Sequence, residues 1–374
     1  AADGIFRAHL ACTSELETAM ANPAEQEREA LNSGTKPVAD SHRFDEASLA
    51  AWMAAHVADF RGPLEVRQFK GGQSNPTYQL VTPAKTYVMR RKPPGKLLPS
   101  AHAVDREYKV ISALHPSGFP VARPYGLCVD EDVIGTWFYV MDMVEGRILW
   151  DQTLPQYEPT ERRALYMGKI RALADLHNVD YAAVGLSDYG KPGNYMGRQV
   201  ERWARQYKAS ETARIDEMER LIDWLPRSLP AQERTSIVHG DYRLDNMAFH
   251  PTDPKVIAVL DWELGTLGDP LADFTYLLTN WFSGPLADLP DLNAHGIPTL
   301  DEAVAAYCGH TGRSGLPDLN WFFAYNLFRS AGIAQGIVGR VRDGTANSPH
   351  TAELEAQVPR LAQSAWTFAR KAGA

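Results

Sequence analysis

The sequence predicts a chain of mixed α and β structure in which a group of strands precedes a group of helices. Between residues 64 and 141, short apolar or alternating runs are separated by Gly, Pro and Asn turns, the pattern of an antiparallel sheet. From Thr160 onward the apolar residues recur at helical spacing instead, as they do along the face that ends at His177. At 374 residues the chain is long for one compact domain and comfortable for two lobes.

The composition is that of an ordinary globular protein. Hydrophobic residues make up 44% of the chain and charged residues 22%, which excludes a disordered or fibrous chain. Cys12, Cys128 and Cys308 are odd in number, widely spaced and in no metal-binding pattern, so we expect a reducing compartment, the cytoplasm. No apolar run reaches the ~18 residues of a membrane span, and the start lacks an export signal, so we expect no membrane association.

The net charge of −8 is unevenly distributed. Residues 61–110 carry a net charge of +7, residues 1–60 carry −6 and the remainder carries −9. A basic early segment fits phosphate binding, whereas the acidic remainder argues against nucleic acid as a partner. Taken singly, most of these charges are expected on the solvated surface. The sequence gives no indication of the oligomeric state.

The periodicity places the individual strands and helices. Five strands are predicted for the N-terminal sheet: Leu64–Phe69, Thr77–Val81, Thr86–Arg90, Leu127–Asp130 and Trp137–Met141. Asp45 is predicted to cap a helix ending near Val57, and a second helix ends near Leu114. Asp269 followed by Pro270 predicts another helix start. Further helices are predicted at residues 194–209, 211–225, 301–309, 318–341 and 351–370.

The chemistry is concentrated in residues 237–263. Asp241 and Asn246 lie five positions apart in a polar loop between two apolar runs, and Asp261 ends a third run. Phosphoryl transfer needs a positioned carboxylate near the attacking hydroxyl and oxygen ligands that hold magnesium against the nucleotide phosphates. These three side chains supply that set. Each residue alone also suits an ordinary turn, because Asp and Asn bond their own backbone in loops, but the joint pattern favours the chemistry.

The same stretch resembles a known family. The spacing Asp-x-x-x-x-Asn with a second Asp after a hairpin is that of the eukaryotic kinase catalytic loop and metal-binding Asp. Because the loop begins His-Gly-Asp, the sequence resembles the aminoglycoside phosphotransferase family of kinase-like small-molecule phosphotransferases. The run Ala-His-Ala-Val-Asp-Arg-Glu-Tyr at residues 101–108, with the preceding Arg-Lys-Pro-Pro-Gly, looks especially like the kinase-like domain fused to some acyl-CoA dehydrogenases.

The resemblance implies an α+β, bilobal, protein-kinase-like fold. Its N-terminal lobe holds a five-stranded antiparallel sheet, and its C-terminal lobe is mostly helical. In this chain the expected division is an N-terminal extension at residues 1–43, a nucleotide-binding N-lobe at 44–144, and a catalytic and substrate-binding C-lobe at 145–374.

The resemblance also assigns the nucleotide contacts. The kinase Lys that grips the α- and β-phosphates falls on Arg90, and Glu107 is the position that pairs with it. Ser74 and Asn75 occupy the place of the phosphate-covering loop and are candidate phosphate contacts. A simple hairpin turn is an equal interpretation of that loop, and a solvated edge-strand charge is the alternative for Arg90. By the same resemblance, residues 141–146 connect the two lobes, and Met141, Asp142 and Val144 are the expected adenine contacts.

The implied catalytic roles follow the loop. Asp241 accepts or orients the proton of the substrate hydroxyl, while Asn246 and Asp261 hold Mg²⁺ on the phosphates of ATP. Arg243 corresponds to the loop Lys of protein kinases and could neutralise charge on the transferring group, with simple loop solvation as the alternative.

Three further residues are expected to be structural. His239 should brace the loop backbone without acting as a base. Asp273 could reach back to the loop, as an anchoring Asp does in kinase C-lobes. His177, on a helical face, is expected to be a hydrogen-bonded core residue.

The expected function is ATP-dependent transfer of the γ-phosphate to a hydroxyl of a small molecule. The acceptor stays open between a hydroxyacyl compound such as a CoA thioester, an amino-sugar, a simple sugar, an amino alcohol and an amino acid, and GTP in place of ATP is open too. A catalytically weak pseudokinase acting as an interaction module is the alternative. Arg90 in place of Lys favours that alternative, whereas the intact acids and amide of the loop argue against it.

Overall fold

The computed structural model describes residues 29–31, 33–71, 75–93, 102–344 and 351–374. They form a first lobe built on an antiparallel sheet and a second lobe that is mostly helical. The predicted fold class is therefore confirmed, and nearly every predicted strand and helix is present within a few residues of its expected position.

The first lobe is built on a six-stranded sheet with the order β1-β2-β3-β4-β6-β5. Its strands are β1 (Thr35–Lys36), β2 (Glu65–Phe69), β3 (Thr77–Val81), β4 (Thr86–Arg91), β5 (Pro124–Cys128) and β6 (Phe138–Asp142). The prediction of five strands was one short, because β1 comes from the segment expected to be an extension. Strand β1 pairs antiparallel with Gln68 and Phe69 of β2. Because β1 has only two residues, its sequence cannot show the alternation of apolar and polar residues that predicts a strand.

Strand β4 is covered on both faces, so five of its six residues are buried. Arg91 points to one face, where its guanidinium lies 5.0 Å from the ring centre of Phe44 and 5.3 Å from that of Tyr78. Arg90 points to the other face, toward the carboxylate of Glu107. The alternation of a strand thus sends two adjacent arginines into different environments.

Two helices cover this sheet. Helix α1 (Glu46–His56) begins at Asp45, whose carboxylate accepts the N–H groups of Ala47 and Ser48 at 2.9 and 3.1 Å, as the predicted cap requires. Helix α2 (Val104–Leu114) has a pronounced apolar face and carries Glu107 on its buried side. A short helix, α3 (Glu131–Ile134), connects β5 to β6.

The second lobe packs seven helices of the described chain around a large apolar core. They are α4 (Pro159–Asn178), α5 (Tyr195–Ser210), α6 (Asp216–Trp224), α7 (Pro270–Leu278), α8 (Leu300–Thr311), α9 (Leu319–Arg342) and α10 (Thr351–Lys371). Helix α9 is apolar nearly all round and is buried against α5, α7 and α10. Within the described ranges, no helix is long and apolar enough to cross a membrane.

Two small sheets hold the polar loops of this lobe. One has the order β10-β9-β7 and the other pairs β11 with β8. Their strands are β7 (Arg147–Ile148), β8 (Ser236–Val238), β9 (Met247–Phe249), β10 (Val256–Val259) and β11 (Thr266–Gly268). Strand β8 leads into the loop of Asp241, and β10 leads to Asp261, so these short pairings place both acids.

Candidate active site

The loop after β8 is fixed from behind by α7. The two carboxylate oxygens of Asp273 accept the backbone N–H groups of His239 at 2.5 Å and Gly240 at 2.9 Å. Gly240 has a φ of +85°, and a Cβ there would come within 2.9 Å of the carbonyl oxygen of Leu264, so this turn requires glycine. The predicted bracing by Asp273 is confirmed.

His239 is a buried structural residue. Its Nδ1 accepts the N–H of Asp241 at 3.2 Å, so the proton of the neutral ring belongs on Nε2, which donates to the carbonyl of Leu260 at 2.7 Å. Both ring nitrogens are therefore occupied and the side chain is inaccessible to water. The prediction that His239 braces the loop is confirmed.

The carboxylate of Asp241 is held by two donors from different elements. Oδ1 accepts the hydroxyl of Tyr276 at 2.8 Å, and Oδ2 accepts Nδ2 of Asn246 at 3.1 Å. The same Nδ2 lies 2.9 Å from the backbone oxygen of Asp241. These bonds close the five-residue loop on itself and commit the amide nitrogen of Asn246, which leaves its amide oxygen as the group for a cation.

Arg243 places a cation beside Asp241. Its Nη2 donates to Oδ2 of Asp245 at 2.5 Å, and its Nε lies 3.6 Å from Oδ2 of Asp241. Burial works against the positive charge, but the two carboxylates outweigh burial, so the pKa of Arg243 lies above its ordinary value. About a third of the side chain stays exposed. Arg243 is thus a fixed, permanently charged group at the loop.

Asp261 follows β10 in the left-handed backbone conformation, with a φ of +61°. Residues other than glycine seldom adopt this conformation, although Asp adopts it more readily than most, and such exceptions collect at functional sites. The carboxylate is 37% exposed, and its Oδ1 accepts Nη2 of Arg90 at 3.0 Å. The contact joins the end of β10 in the second lobe to β4 in the first.

Arg90 also forms an ion pair with Glu107 on its other side, as the resemblance implies. Its Nε lies 3.2 Å from Oε2 of Glu107, whose side chain is only 1% exposed. The hydroxyl of Tyr139 and Nδ2 of Asn75 donate to the same carboxylate at 3.0 and 2.7 Å. Burial opposes the charge of Arg90, but Glu107, Tyr139 and Asp261 together outweigh burial and raise the pKa of the guanidinium. The charge of Arg90 is therefore held in place from the first lobe.

Of the two candidate phosphate contacts, one is described. Ser74 lies outside the described residues. Asn75 is fully buried, and both ends of its amide are used, with Oδ1 lying 3.0 Å from Nδ1 of His102 and Nδ2 bonded to Glu107. The Asn75 side chain supports Glu107 in this structure, and a phosphate contact through its backbone stays a prediction.

The expected adenine contacts lie at the end of β6, where the chain passes between lobes. Met141, Asp142 and Val144 are all half-buried. The Asp142 carboxylate accepts the hydroxyl of Tyr125 at 2.7 Å and pairs with Lys85 at 2.5 Å, so its side chain is committed to the sheet. Its N–H donates to the backbone of the first lobe. The connector roles of the three residues stay predictions.

The donor set fits a magnesium site of the kinase type. Among the described residues, no group of three or more His, Cys, Asp or Glu side chains is placed to hold a metal ion. Mg²⁺ in such enzymes takes only one or two carboxylates, together with waters and substrate phosphates. Asp261 supplies a partly exposed carboxylate and Asn246 an amide oxygen, so the two residues match that limited requirement.

Sequence reasoning missed several residues around these groups. Tyr139 and His102 support the Glu107 network, and Tyr276 bonds Asp241. Partial burial, followed by the charge of Asp261, raises the pKa of the Glu263 carboxyl group to about 7, although part of this side chain stays exposed. These contacts join positions far apart in sequence, so no local pattern signals them, although His102 lies within the motif at residues 101–108 and Glu263 lies beside Asp261.

A sheet lobe over a helical lobe, with an Asp-Asn loop hydrogen-bonded to the residue before an Asp that is tied to a strand cation, defines a kinase-like phosphotransferase. The model of the phosphotransferase enzyme family, APH, matches residues 65–310. The chain belongs to this family, and the resemblance drawn from the His-Gly-Asp loop is confirmed.

Relatives and solved structures agree with this assignment. The chain is 42% identical to mouse acyl-CoA dehydrogenase family member 10, covering 91% of this chain and 32% of that protein. It is 42% identical to chicken acyl-CoA dehydrogenase family member 11, with 91% and 46% covered. The chain thus spans a third to a half of these curated relatives. Such proteins carry this kinase-like domain, as the motif at residues 101–108 predicted.

Among solved structures, a Ralstonia eutropha protein described as a candidate aminoglycoside phosphotransferase is 51% identical. It covers 88% of this chain and 99% of its own, with a TM-score of 0.81. Choline kinase from Cryptosporidium parvum shares the fold at 9% identity, with a TM-score of 0.62 over 87% of this chain and 97% of its own. The fold and family therefore support phosphotransferase chemistry on small molecules.

Proposed function

We propose that this protein is an ATP- and magnesium-dependent kinase that transfers the γ-phosphate to a hydroxyl of a small molecule. The observation that carries the proposal is the position of Arg90, which contacts Glu107 of the first lobe and Asp261 of the second at once. A cation held between these carboxylates is the arrangement needed at the phosphates of a nucleotide lying between the lobes.

On the nucleotide side, Arg90 binds phosphate oxygens, because a guanidinium can donate two parallel hydrogen bonds to them. Asn246 and Asp261 would hold Mg²⁺, which supplies a positive charge against the phosphate oxygens. Glu107, supported by Asn75 and Tyr139, keeps the guanidinium oriented toward the cleft.

On the acceptor side, Asp241 orients the attacking hydroxyl and accepts its proton. The guanidinium of Arg243 lies beside the Asp241 carboxylate, where it neutralises the negative charge that develops on the transferring phosphoryl group. The protein forms no covalent bond to the substrate in this scheme. Alignment of the hydroxyl with the γ-phosphorus, together with fixed charge, lowers the barrier.

For the acceptor we propose a hydroxyacyl compound, presented as its CoA thioester. The support is the high identity to proteins named for acyl-CoA dehydrogenases, in which this domain is part of a longer chain. The excess positive charge of residues 61–110 adds little, because each described cation there has a partner within the fold. These cations are Arg61, Arg67, Lys70, Lys85, Arg90, Arg91, Lys92, Arg106 and Lys109.

One observation favours the pseudokinase alternative. Arg90 and Asp261 satisfy each other in this structure, and a phosphate and a metal ion would have to compete with that ion pair. A thermal-shift titration with ATP, with and without Mg²⁺, separates the two functions. Stabilisation by ATP that needs Mg²⁺ supports the kinase, whereas an unchanged Tm in both titrations favours the interaction module.

The acceptor is tested by measuring ADP release over hydroxyacyl-CoAs, aminoglycosides, choline-like alcohols and simple sugars, with Asp241→Asn as the matched control. We expect release with hydroxyacyl-CoAs that Asp241→Asn removes, together with a product heavier by one phosphoryl group. Turnover confined to aminoglycosides or to choline-like alcohols would replace the proposed acceptor. If no class of acceptor gave ADP release and ATP did not bind, the proposed kinase activity would be rejected.

A further inference from the structure

Among the hydrogen bonds and ion pairs of Asp241 in the described residues, the bond from the hydroxyl of Tyr276 is the one that comes from outside residues 239–246. Tyr276 lies in the last turn of α7, 35 positions after Asp241. Because the carboxylate has no proton to give when ionised, the tyrosine is the donor in this 2.8 Å bond. Burial, followed by the charge of Asp241, raises the pKa of Tyr276 above its ordinary value, so the donor keeps its proton.

The backbone alone does not orient this carboxylate. The terminal torsion of an Asp side chain has a broad, roughly two-fold preference, so the rotamer leaves the direction of the two oxygens open. In the structure each oxygen has its own donor: Asn246 bonds Oδ2 and Tyr276 bonds Oδ1. With the tyrosine hydroxyl removed, the carboxylate would be held at one oxygen only and could turn about that bond.

Tyr276 is itself held by Arg329 of α9. The guanidinium of Arg329 lies 4.9 Å from the centre of the Tyr276 ring and 5.5 Å from that of Trp203. Its Nη2 also donates to the backbone oxygen of Gly240, directly before Asp241. Arg329 is only 7% exposed, so its position is fixed by these contacts. One buried cation therefore ties the ring and the loop together.

We propose that Tyr276 is a positioning residue for phosphoryl transfer, which fixes the direction of the Asp241 carboxylate, and that Arg329 fixes Tyr276. The inference rests on the proposed function, since it assigns a role in that reaction. Tyr276 acts through Asp241 and touches neither the nucleotide nor the metal ligands. A misdirected carboxylate lowers the rate of transfer without weakening nucleotide binding.

The test is Tyr276→Phe in the full chain, with Tyr166→Phe as the matched control. Tyr166 is a buried tyrosine of the same lobe whose hydroxyl donates to the backbone oxygen of Gln152 at 2.5 Å, away from Asp241. Each variant loses one hydroxyl that donates a hydrogen bond. With Mg²⁺ and ATP, and water as the acceptor, we expect Tyr276→Phe to lower kcat for ADP release about tenfold or more at unchanged KM for ATP. Tyr166→Phe should leave kcat unchanged, so equal effects of the two variants would overturn the proposal.

A stability cycle keeps the inference testable if water proves a poor acceptor. Thermal unfolding is measured for Tyr276→Phe, Asp241→Ala and the double variant. We expect the tyrosine substitution to lower Tm in the wild-type background and to have little effect once Asp241 is alanine, because its partner is gone. Equal losses in both backgrounds would overturn the positioning contact. If wild type and Asp241→Ala release ADP equally slowly on all acceptors, the proposed function fails instead.

Discussion

Nη2 of Arg90 lies 3.0 Å from Oδ1 of Asp261, although the two residues are 171 positions apart. The bond links the third long strand of the first lobe to the turn that ends β10 in the second. Since Glu107 holds Arg90 from the other side, the three charges connect the buried Glu107 of helix α2 to the partly exposed Asp261. A substitution of Glu107, Arg90 or Asp261 therefore removes a contact that joins the two lobes or supports the one that does.

Replacement of Arg90 by Met should reduce both stability and nucleotide binding. It leaves the buried Glu107 carboxylate without its cation, and breaking a buried ion pair costs about 3–5 kcal/mol. Urea unfolding measures the loss. Adding Glu107→Gln to Arg90→Met should restore part of the lost free energy of unfolding, because no unpaired charge remains. Neither the single nor the double variant should bind ATP normally. If the double variant is no more stable than Arg90→Met, the Glu107 charge is not the cause.

Two substitutions at Asp261 separate catalysis from backbone strain. Both Asp261→Ala and Asp261→Gly should lower transfer by about 10²–10³-fold or more, because the proposed metal ligand is lost. Glycine adopts a φ of +61° without the Cβ strain that alanine meets, so Asp261→Gly should be more stable than Asp261→Ala by about 1–2 kcal/mol. Chemical unfolding and ADP release on the same preparations check the two effects. Wild-type turnover in Asp261→Ala would contradict the proposed metal site.

Gly240→Ala is expected to displace the catalytic loop. The new Cβ would lie 2.9 Å from both Cβ and the carbonyl oxygen of Leu264, and the φ of +85° is itself unfavourable for alanine. Gly185→Ala is the control, since Gly185 has a φ of +81° with open space around it. Both variants should lose about 1–2 kcal/mol from the left-handed conformation, but Gly240→Ala should lose more, and transfer as well. Thermal unfolding and kcat distinguish them.

Asp273→Asn should remove a pH-dependent part of the stability. Burial disfavours the charge of Asp273, but His177 and the loop N–H groups outweigh burial, so its pKa lies below the ordinary value. The stabilisation is then fully present above the ordinary carboxyl range of about 4 and is lost as pH falls through the lower folded pKa. Near neutrality the variant should be less stable by about 2–3 kcal/mol. Unfolding measured from pH 7 down to acid should show the wild type and variant converging; a constant difference would contradict this.

Much of the fold was predictable because its elements carry local signals. Asp45 and Asp269 cap their helices with side chains that accept free N–H groups, as their positions before apolar helical patterns predicted. The strands of the first sheet alternate or are bounded by Gly and Pro turns. Strand β1 was missed because a two-residue strand has no period to detect, and its pairing with β2 depends on the fold around it.

The site residues likewise fall into those with a local sequence signal and those without one. Asp241, Asn246 and Asp261 were predictable because a short loop and the turn after a strand place them in a recognisable spacing. Their partners were not predictable: Tyr276 and Arg329 reach the loop from helices 35 and 89 positions away, and such contacts leave no periodic mark. For Asn75, the sequence predicted its place in the phosphate-covering loop. The sequence did not predict that its side chain is buried against Glu107.

The short strand β1 has a consequence for any shortened form of the protein. It covers the end of β2 at the sheet edge, where Lys36 and Thr35 pair with Gln68 and Phe69. A form that starts at residue 44 would leave these backbone groups open to a strand from another molecule, a common origin of self-association. Loss of this cover would thus be seen first as oligomers in solution, well before any loss of chemistry in the cleft.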